Sequence, residues 1–232
     1  SSASCFRRRY EPSSRRRPSF LKKKVKFSPP RNKPTRKILG WASVLLCFLL
    51  TKLTSKGEKN IPKKGPYILA PNHLSLLDPF VLQAKHKKPT TFLMAEDLDD
   101  LGWKELWIPW LYGVLLVHRK TLKPSTIRAV QNQIEKKEPI CIFPEGTSVG
   151  ARLKPPKEGA AYFSARNNIP IIPVALSGTD QISKKLKSLQ KPEISVEFGK
   201  PIYPNGTGKE KIGVLTKKTM QKLKEMLPKK YH

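Results

Sequence analysis

The stretch that decides the fold is YILAPNHLSLLDP, at residues 67–79. Its apolar start, residues 67–70, predicts a buried strand, which Pro71 ends. Asp78 followed by a proline is typical of the first residues of a helix. His73 and Asp78 are five positions apart, so they would lie on different faces of one regular helix and on opposite sides of one strand. They can meet only where the chain leaves a strand, turns and begins a helix.

A carboxylate that meets an imidazole across such a turn supplies the general base of a nucleophilic reaction. We therefore expect His73 to accept a proton and Asp78 to orient its ring. Taken alone, such a pair is more often a structural histidine beside a capping aspartate, so the catalytic interpretation depends on the rest of the chain.

The composition favours one folded domain with a strongly basic tail. The chain has 232 residues and a formal net charge of +29, of which residues 1–37 contribute +13. Such an excess favours a polyanionic partner, either nucleic acid or an anionic membrane surface. The cysteines, Cys5, Cys47 and Cys141, have no zinc or redox spacing, and their odd number argues against a secreted disulfide framework. A reducing compartment is therefore favoured.

The sequence divides into three segments. The first segment, residues 1–37, is rich in Ser, Pro and Arg, and this composition predicts a disordered basic tail. The tail resembles an organelle transit peptide, and it equally suits a basic segment beside a membrane helix. Residues 38–56 predict a membrane-inserting apolar helix, because the run is apolar on all sides, has Trp41 near one end and follows a polybasic block. The run is shorter than the about 20 residues that cross a bilayer, so spanning, interfacial and buried positions all stay open. Residues 57–232 form the remaining, folded domain.

Short apolar runs alternate with helical stretches between residues 60 and 200. This alternation predicts an α/β fold, a single layered domain with a mixed central sheet flanked by helices. We predict strands at 67–70, 91–94, 114–118, 140–143, 171–175 and 194–198, and helices at 79–86, 103–111, 124–137, 158–167 and 209–227.

Further polar residues follow predicted strands. Residues 140–148, ICIFPEGTS, run from an apolar strand into a turn, where Gly146 lets the backbone approach a ligand and its N–H groups can face an anion. Arg119 directly follows the strand predicted at 114–118, so it would lie at the end of that strand. Lys154 and Lys157 precede a predicted helix start, and both the charge and the helix terminus suit a phosphate.

Together these segments resemble the lysophosphatidic acid acyltransferase family. That family has Asn-His-x4-Asp, Gly-x-apolar-x-x-x-Arg, Phe-Pro-Glu-Gly-Thr and a Pro-Ile-x-Pro-Val strand. This chain carries the four blocks in the same order, at residues 72–78, 113–119, 143–147 and 170–174. The likeness spans roughly residues 38–228.

The resemblance implies an enzyme that acylates 1-acylglycerol-3-phosphate and makes phosphatidic acid. His73 would remove the proton from a glycerol hydroxyl while Asp78 orients it, and the oxygen would attack the thioester of an acyl-CoA or acyl carrier protein. No cofactor or metal is expected, since the thioester is a co-substrate. The expected partners are the lipid bilayer, lysophosphatidic acid and the acyl donor, with no nucleic acid. We expect a membrane-associated protein whose site lies on the cytoplasmic face, or on the stromal or matrix face of an organelle.

The resemblance also implies that Arg119 and the Glu-Gly-Thr turn hold the glycerol phosphate. We add the asparagine before His73 and the positively charged lysine after the turn. The predicted substrate-binding residues are Asn72, Arg119, Glu145, Gly146, Thr147 and Lys157.

One departure from the family leaves the acceptor open. The family often continues after Thr147 with Arg and then Ser, whereas this chain has Ser148 and Val149. Another lysophospholipid or an ornithine-type lipid is therefore an alternative acceptor. The candidates for the missing cation are Arg152, Lys154 and Lys157. Nucleic-acid binding is a remote alternative, because no aromatic ladder, zinc pattern or recognition helix accompanies the basic blocks.

Overall fold

The computed structural model describes residues 32–95, 109–117, 123–146 and 152–232. Its helices are α1 (Lys33–Leu50), α2 (Asp78–Lys85), α3 (Pro124–Glu135), α4 (Gly159–Asn167), α5 (Ile182–Lys187) and α6 (Lys209–Met226), with 3-10 turns at Glu58–Asn60, Thr179–Gln181 and Lys229–Tyr231. Its strands are β1 (Lys52–Lys56), β2 (Ile68–Pro71), β3 (Thr91–Ala95), β4 (Leu115–Val117), β5 (Ile140–Cys141), β6 (Ile171–Ser177) and β7 (Glu193–Phe198).

The described strands form one sheet in the order β1-β7-β6-β2-β5-β3-β4. Strands β6, β2, β5, β3 and β4 are parallel, β7 is antiparallel to β6, and β1 is parallel to β7. The predicted mixed sheet is therefore confirmed. The carboxyl ends of β2, β5 and β6 lie at the same end of the sheet as the first residues of β1 and β7. We call this the carboxyl end of the sheet, and it is where ligands bind in open α/β folds.

Helices cover both faces of the sheet. Cys47 of α1, Leu82 of α2 and Ile182 of α5 belong to the hydrophobic core on one face. Val130 of α3 and Phe163 of α4 belong to the core on the other face, together with residues of α6. Because the central strands are buried on both sides, they carry continuous apolar runs rather than alternating ones.

The N-terminal boundaries differ from the prediction. Helix α1 begins at Lys33, inside the segment predicted to be disordered, and ends at Leu50. The prediction of a helix over 38–56 is wrong for residues 52–56, because these residues form β1 and pair with β7. This strand is polar and only alternately half-buried, so its pairing comes from the neighbouring strand rather than from an apolar pattern of its own. Residues 1–31 lie outside the described residues.

Elsewhere the predicted elements are found with small shifts. The strand predicted at 140–143 ends at Cys141, and the helix predicted at 79–86 begins at Asp78. Helix α5 is missing from the prediction because its sequence, ISKKLK, is short and lysine-rich. Most of the helix predicted at 103–111 lies outside the described residues.

A buried arginine fixes α1 to the domain. Arg36 is 2% exposed, and its Nη1 lies 3.1 Å from Glu138 Oε2. Its Nη2 donates a hydrogen bond to the carbonyl of Thr90 at 3.0 Å, and the guanidinium lies 5.5 Å from the centre of the Tyr112 ring. The prediction of a disordered tail up to residue 37 is therefore wrong for this residue, because a paired, buried guanidinium holds the start of the helix in place.

The outer face of α1 is apolar and exposed. Trp41 is 72% exposed and Phe48 is 76% exposed, and further large apolar side chains of the helix are also open to solvent. These exposed residues are Ile38, Trp41, Val44, Leu45, Leu46, Phe48, Leu49 and Leu50. Among the described residues, no helix has both the length and the apolar character that crossing a membrane would need.

Candidate active site

His73 and Asp78 meet across a strand–turn–helix junction, as the sequence predicts. Strand β2 ends at Pro71, and α2 begins at Asp78. Across the turn, His73 Nδ1 lies 2.7 Å from Asp78 Oδ2. The pair lies at the carboxyl end of the sheet, where a substrate can reach it.

The surroundings of Asp78 determine which histidine nitrogen carries the proton. Asp78 Oδ2 accepts hydrogen bonds from the backbone N–H groups of Leu74 at 2.7 Å and Ser75 at 2.8 Å. An oxygen that already accepts from two N–H groups also acts as the acceptor toward the ring, so His73 Nδ1 donates to it. Nε2 then carries the lone pair that a general base needs. Because Asp78 is fully buried, its attraction for a protonated imidazole is screened little by water.

An aromatic side chain sets the plane of the histidine ring. Phe143, which follows β5, stacks on His73 with the ring centres 4.2 Å apart and the planes 28° apart. The His73 side chain is 13% exposed, so a reacting group can reach it while most water is excluded. Behind the pair, burial and then the Asp78 charge raise the pKa of the Cys141 thiol, which stays neutral and unreactive.

Glu145 is a brace for the histidine rather than a substrate contact. Its Oε1 accepts a hydrogen bond from the backbone N–H of His73 at 2.9 Å, and its Oε2 accepts one from Lys154 N at 2.9 Å. The residue is 3% exposed. Burial raises the pKa of its carboxyl, and the two backbone hydrogen bonds oppose that rise. The structure thus corrects the expectation that Glu145 contacts the phosphate, because its oxygens are turned inward to backbone donors.

Asn72 also has a different role from the expected one. Its Nδ2 donates to the carbonyl of Leu176 at 3.0 Å, and its Oδ1 accepts from Leu176 N at 2.7 Å. The side chain is fully buried between β2 and β6. The expected substrate contact is therefore corrected: Asn72 ties the loop before His73 to the neighbouring strand, and no atom of the amide reaches the surface.

Gly146 is required by its conformation and by a close neighbour. Its φ is +60°, and a Cβ added there would lie 2.6 Å from Lys157 Cδ. Any other residue would therefore be strained and would displace the lysine. Lys157 is exposed, and its backbone N–H donates to the carbonyl of Pro144 at 2.7 Å. The turn and the lysine are thus held side by side at the carboxyl end of the sheet.

The basic loop before α4 is fixed at two points. Lys154 is tied through its backbone N–H to Glu145, and Leu153 N donates to the carbonyl of Tyr231 at 2.9 Å. The Tyr231 hydroxyl donates to Asp180 Oδ1 at 2.7 Å and accepts from Gly178 N. A residue from the far end of the chain therefore holds the loop, and no sequence pattern points to it.

Two predicted site residues cannot be placed by the structure, since Arg119 and Thr147 lie outside the described residues. The described part of the site brings together His73, Asp78, Glu145, Gly146 and Lys157.

A family model decides the class of the protein. The model described as Acyltransferase matches residues 52–177. The chain belongs to the acyltransferase family. The matched residues begin at β1 and end with β6, so they include the His73–Asp78 pair and the Glu145 brace. The family resemblance seen in the sequence is thereby confirmed.

Named relatives agree with this assignment. The chain is 29% identical over 212 residues to the probable 1-acyl-sn-glycerol-3-phosphate acyltransferase of Mycoplasma pneumoniae, covering 80% of this chain and 76% of that protein. It is 29% identical over 178 residues to the 1-acyl-sn-glycerol-3-phosphate acyltransferase of Saccharomyces cerevisiae, covering 74% and 58%. It is 38% identical over 117 residues to the Escherichia coli protein of the same name, covering 46% and 47%. The chain thus spans about three fifths of the length of the yeast protein and about half of the length of the E. coli protein.

A solved structure confirms the fold. The crystal structure of the 1-acyl-sn-glycerophosphate (LPA) acyltransferase PlsC of Thermotoga maritima superposes with a TM-score of 0.59. Sequence identity is 18%, and the match covers 83% of this chain and 78% of that one. The layered α/β arrangement of this acyltransferase is therefore shared with that protein.

Proposed function

We propose that this acyltransferase moves a fatty acyl group from acyl-CoA or an acyl carrier protein to the sn-2 hydroxyl of 1-acylglycerol-3-phosphate. The product would be phosphatidic acid, for phospholipid biosynthesis. The observation that carries the proposal is the 2.7 Å contact between His73 Nδ1 and Asp78 Oδ2, which leaves Nε2 to act as the base. The acceptor is inferred from the names of the relatives.

The reaction needs one base that later acts as an acid. His73 Nε2 takes the proton of the sn-2 hydroxyl while its oxygen attacks the carbonyl carbon of the thioester. The tetrahedral intermediate collapses, the C–S bond breaks, and the departing thiolate receives the proton from the imidazolium. Asp78 stabilises the imidazolium between the two proton transfers, as the aspartate of a catalytic triad does.

The phosphate of the acceptor would bind on the basic side of the site. Lys157 is exposed beside Gly146, Arg152 is exposed in the loop that leads to α4, and α4 begins at Gly159. A phosphate monoester carries about two negative charges, so cations and helix N–H groups attract it strongly. Arg119 and Thr147 remain proposed members of this binding site on the basis of the family motif.

The lipid parts of both substrates suggest where the enzyme works. The apolar outer face of α1 would lie in the bilayer interface, because exposed aromatic and aliphatic side chains partition there. We propose a membrane-associated enzyme whose site opens on the cytoplasmic face or its organelle equivalent. Acceptor and product would then exchange with the membrane directly.

An acyl-transfer assay of the purified protein tests the proposal. Lysophosphatidate, lysophosphatidylcholine and a lyso-ornithine lipid would each be offered with an acyl-CoA and with an acyl carrier protein thioester. We expect phosphatidic acid to be the main product, and His73→Ala to abolish it without loss of folded structure. His232→Ala, a change of the exposed histidine in the 3-10 turn region, serves as the matched control and should keep full activity. Full activity of His73→Ala would refute the mechanism, and preference for another acceptor would refute the substrate.

A further inference from the structure

The turn that follows α5 exposes a leucine in an unusual backbone conformation. Leu189 is 97% exposed and has a φ of +55°. Left-handed backbone is less favourable for a leucine than for a glycine, and full exposure brings no packing to offset it. The turn is nevertheless well ordered by hydrogen bonds, since Leu189 N donates to the Leu186 carbonyl and Gln190 N to the Lys185 carbonyl. The side chain is thus held outward, away from the domain.

Lysines surround this leucine. Lys184, Lys185, Lys187 and Lys191 are all exposed. The nearest acidic side chains along the chain are engaged elsewhere, because Asp180 accepts a hydrogen bond from Tyr231, and Glu193 lies 3.3 Å from Lys52 Nζ. Residues 184–191, which we call the Leu189 turn, therefore combine an apolar tip with positive charges that no ion pair among the described residues neutralises.

The Leu189 turn lies beside the end of α1. Lys52 N, two residues after α1, donates to the carbonyl of Pro192 at 2.9 Å, and β1 and β7 then run parallel from Lys52 and Glu193. The exposed apolar residues that close α1, including Leu49 and Leu50, are therefore next to the turn.

The same end of the molecule carries the active site. Because β7 is antiparallel to β6, the start of β7 lies at the carboxyl end of the sheet, as do His73 and Asp78. Leu76 and Leu77, between those two residues, are also exposed. Apolar side chains from the last residues of α1, from the turn between His73 and Asp78 and from the Leu189 turn thus share one end of the domain.

We infer that the Leu189 turn is a second bilayer contact, which inserts Leu189 among lipid chains while its lysines bind anionic headgroups. An apolar tip beside several cations fits a membrane containing anionic lipid, since headgroups attract lysine and the acyl region accepts leucine. Two contacts, the last residues of α1 and the turn, define the orientation of the domain, and they direct the carboxyl end of the sheet to the lipid surface. The inference relies on the proposed membrane position of α1 but not on the proposed acceptor.

Vesicle binding of the full chain tests the contact without any substrate. The partition coefficient would be measured on phosphatidylcholine vesicles and on equimolar phosphatidylcholine and phosphatidylglycerol vesicles. Leu189→Asn should lower it by about tenfold on the mixed vesicles, because a leucine is lost from the lipid. Asparagine tolerates positive φ, so this variant should fold normally. Replacing Lys184, Lys185 and Lys187 by Gln should lower binding to mixed vesicles by about a hundredfold at low salt, or about fivefold per lysine.

Matched controls come from α6, which covers the other face of the sheet. Val214 is 61% exposed, and Lys217, Lys218 and Lys224 are exposed. Val214→Asn, and the triple change of those lysines to Gln, should bind vesicles as the unmodified protein does. Unchanged binding by Leu189→Asn would overturn the inference. So would an equal loss in the control triple variant, because binding would then follow net charge alone.

Activity measurements separate this inference from the proposed function. With the acceptor in mixed vesicles, the Leu189 turn variants should lose activity in proportion to lost binding. With a water-soluble short-chain acceptor, their kcat and KM should equal those of the unmodified protein. A loss with the soluble acceptor would show damage to the site and would contradict a role confined to the membrane. If no lysolipid is acylated at all, the proposed function fails while the vesicle result stands.

Discussion

The Oε1 atom of Glu145 accepts a hydrogen bond from the backbone N–H of His73 at 2.9 Å. The other oxygen of the same carboxylate holds the backbone of Lys154. One buried side chain therefore sets the distance between His73, the proposed base, and the basic loop. The two acceptor oxygens of this carboxylate fix the backbone around His73, since a general base must be placed to within a fraction of an ångström of the reacting hydroxyl.

Glu145→Gln should lower kcat by about a hundredfold, because the amide NH2 would face one of the two backbone N–H donors and push it away. The KM for the acyl donor should change little. Steady-state kinetics with circular dichroism would measure both effects. Glu135→Gln, at the exposed end of α3, is the matched control. A Glu145→Gln enzyme with normal kcat would show that the brace is not needed.

Asp78→Asn should lower kcat by about three orders of magnitude or more. An asparagine cannot stabilise the imidazolium, and it favours the tautomer that places the proton on the reacting nitrogen. The variant should also lose stability, because Leu74 N and Ser75 N lose a charged acceptor. Chemical denaturation would separate that loss from the kinetic effect. Wild-type kcat in a folded variant would contradict the assigned role.

Arg36→Met should weaken the docking of α1. It removes one partner of a largely buried ion pair and leaves Glu138 and the Thr90 carbonyl without that cation. The cost should be about 2–4 kcal/mol, since Glu138 keeps some solvent access. Urea unfolding would measure it. Lys37→Met, at an exposed position of the same helix, should cost less than about 0.5 kcal/mol. Equal stability of the two variants would refute the anchor.

His86 should make stability depend on pH. It is 1% exposed; its Nδ1 faces the Lys88 carbonyl and the Thr90 hydroxyl, and its Nε2 faces the Tyr67 hydroxyl. Burial lowers its pKa from 6.5 to about 4. The folded state therefore binds this proton less readily than the unfolded state, and stability should fall as pH drops from about 6.5 to about 4, by roughly 3 kcal/mol.

The control for this pH effect is His86→Gln, measured by urea unfolding at several pH values. The variant should be less stable near neutral pH, because it alters the buried hydrogen bonds that the His86 ring makes with Tyr67, Lys88 and Thr90. The part of the acid-induced loss that belongs to His86 should disappear. If both proteins lose the same stability between pH 6.5 and pH 4, the histidine is not the group responsible.

Much of the site was predictable because its chemistry is local. The spacing of His73 and Asp78 required a strand–turn–helix junction, and the structure contains one. The roles of Asn72 and Glu145 were not predictable from the motif, since both residues bond to partners far along the chain, Leu176 and His73. Polar residues at strand ends resemble substrate contacts in sequence until the fold shows that they are buried.

The sequence by itself determined the α/β class, the contact between His73 and Asp78, and the family. Those properties depend on local patterns of apolar residues and on motifs a few residues long. Only the tertiary structure decided that β1 joins the sheet beside β7, that Arg36 anchors α1, and that Tyr231 holds the basic loop. Each of these depends on burial or on hydrogen bonds between distant parts of the chain. Such contacts form only when folding brings the partners together and removes them from water.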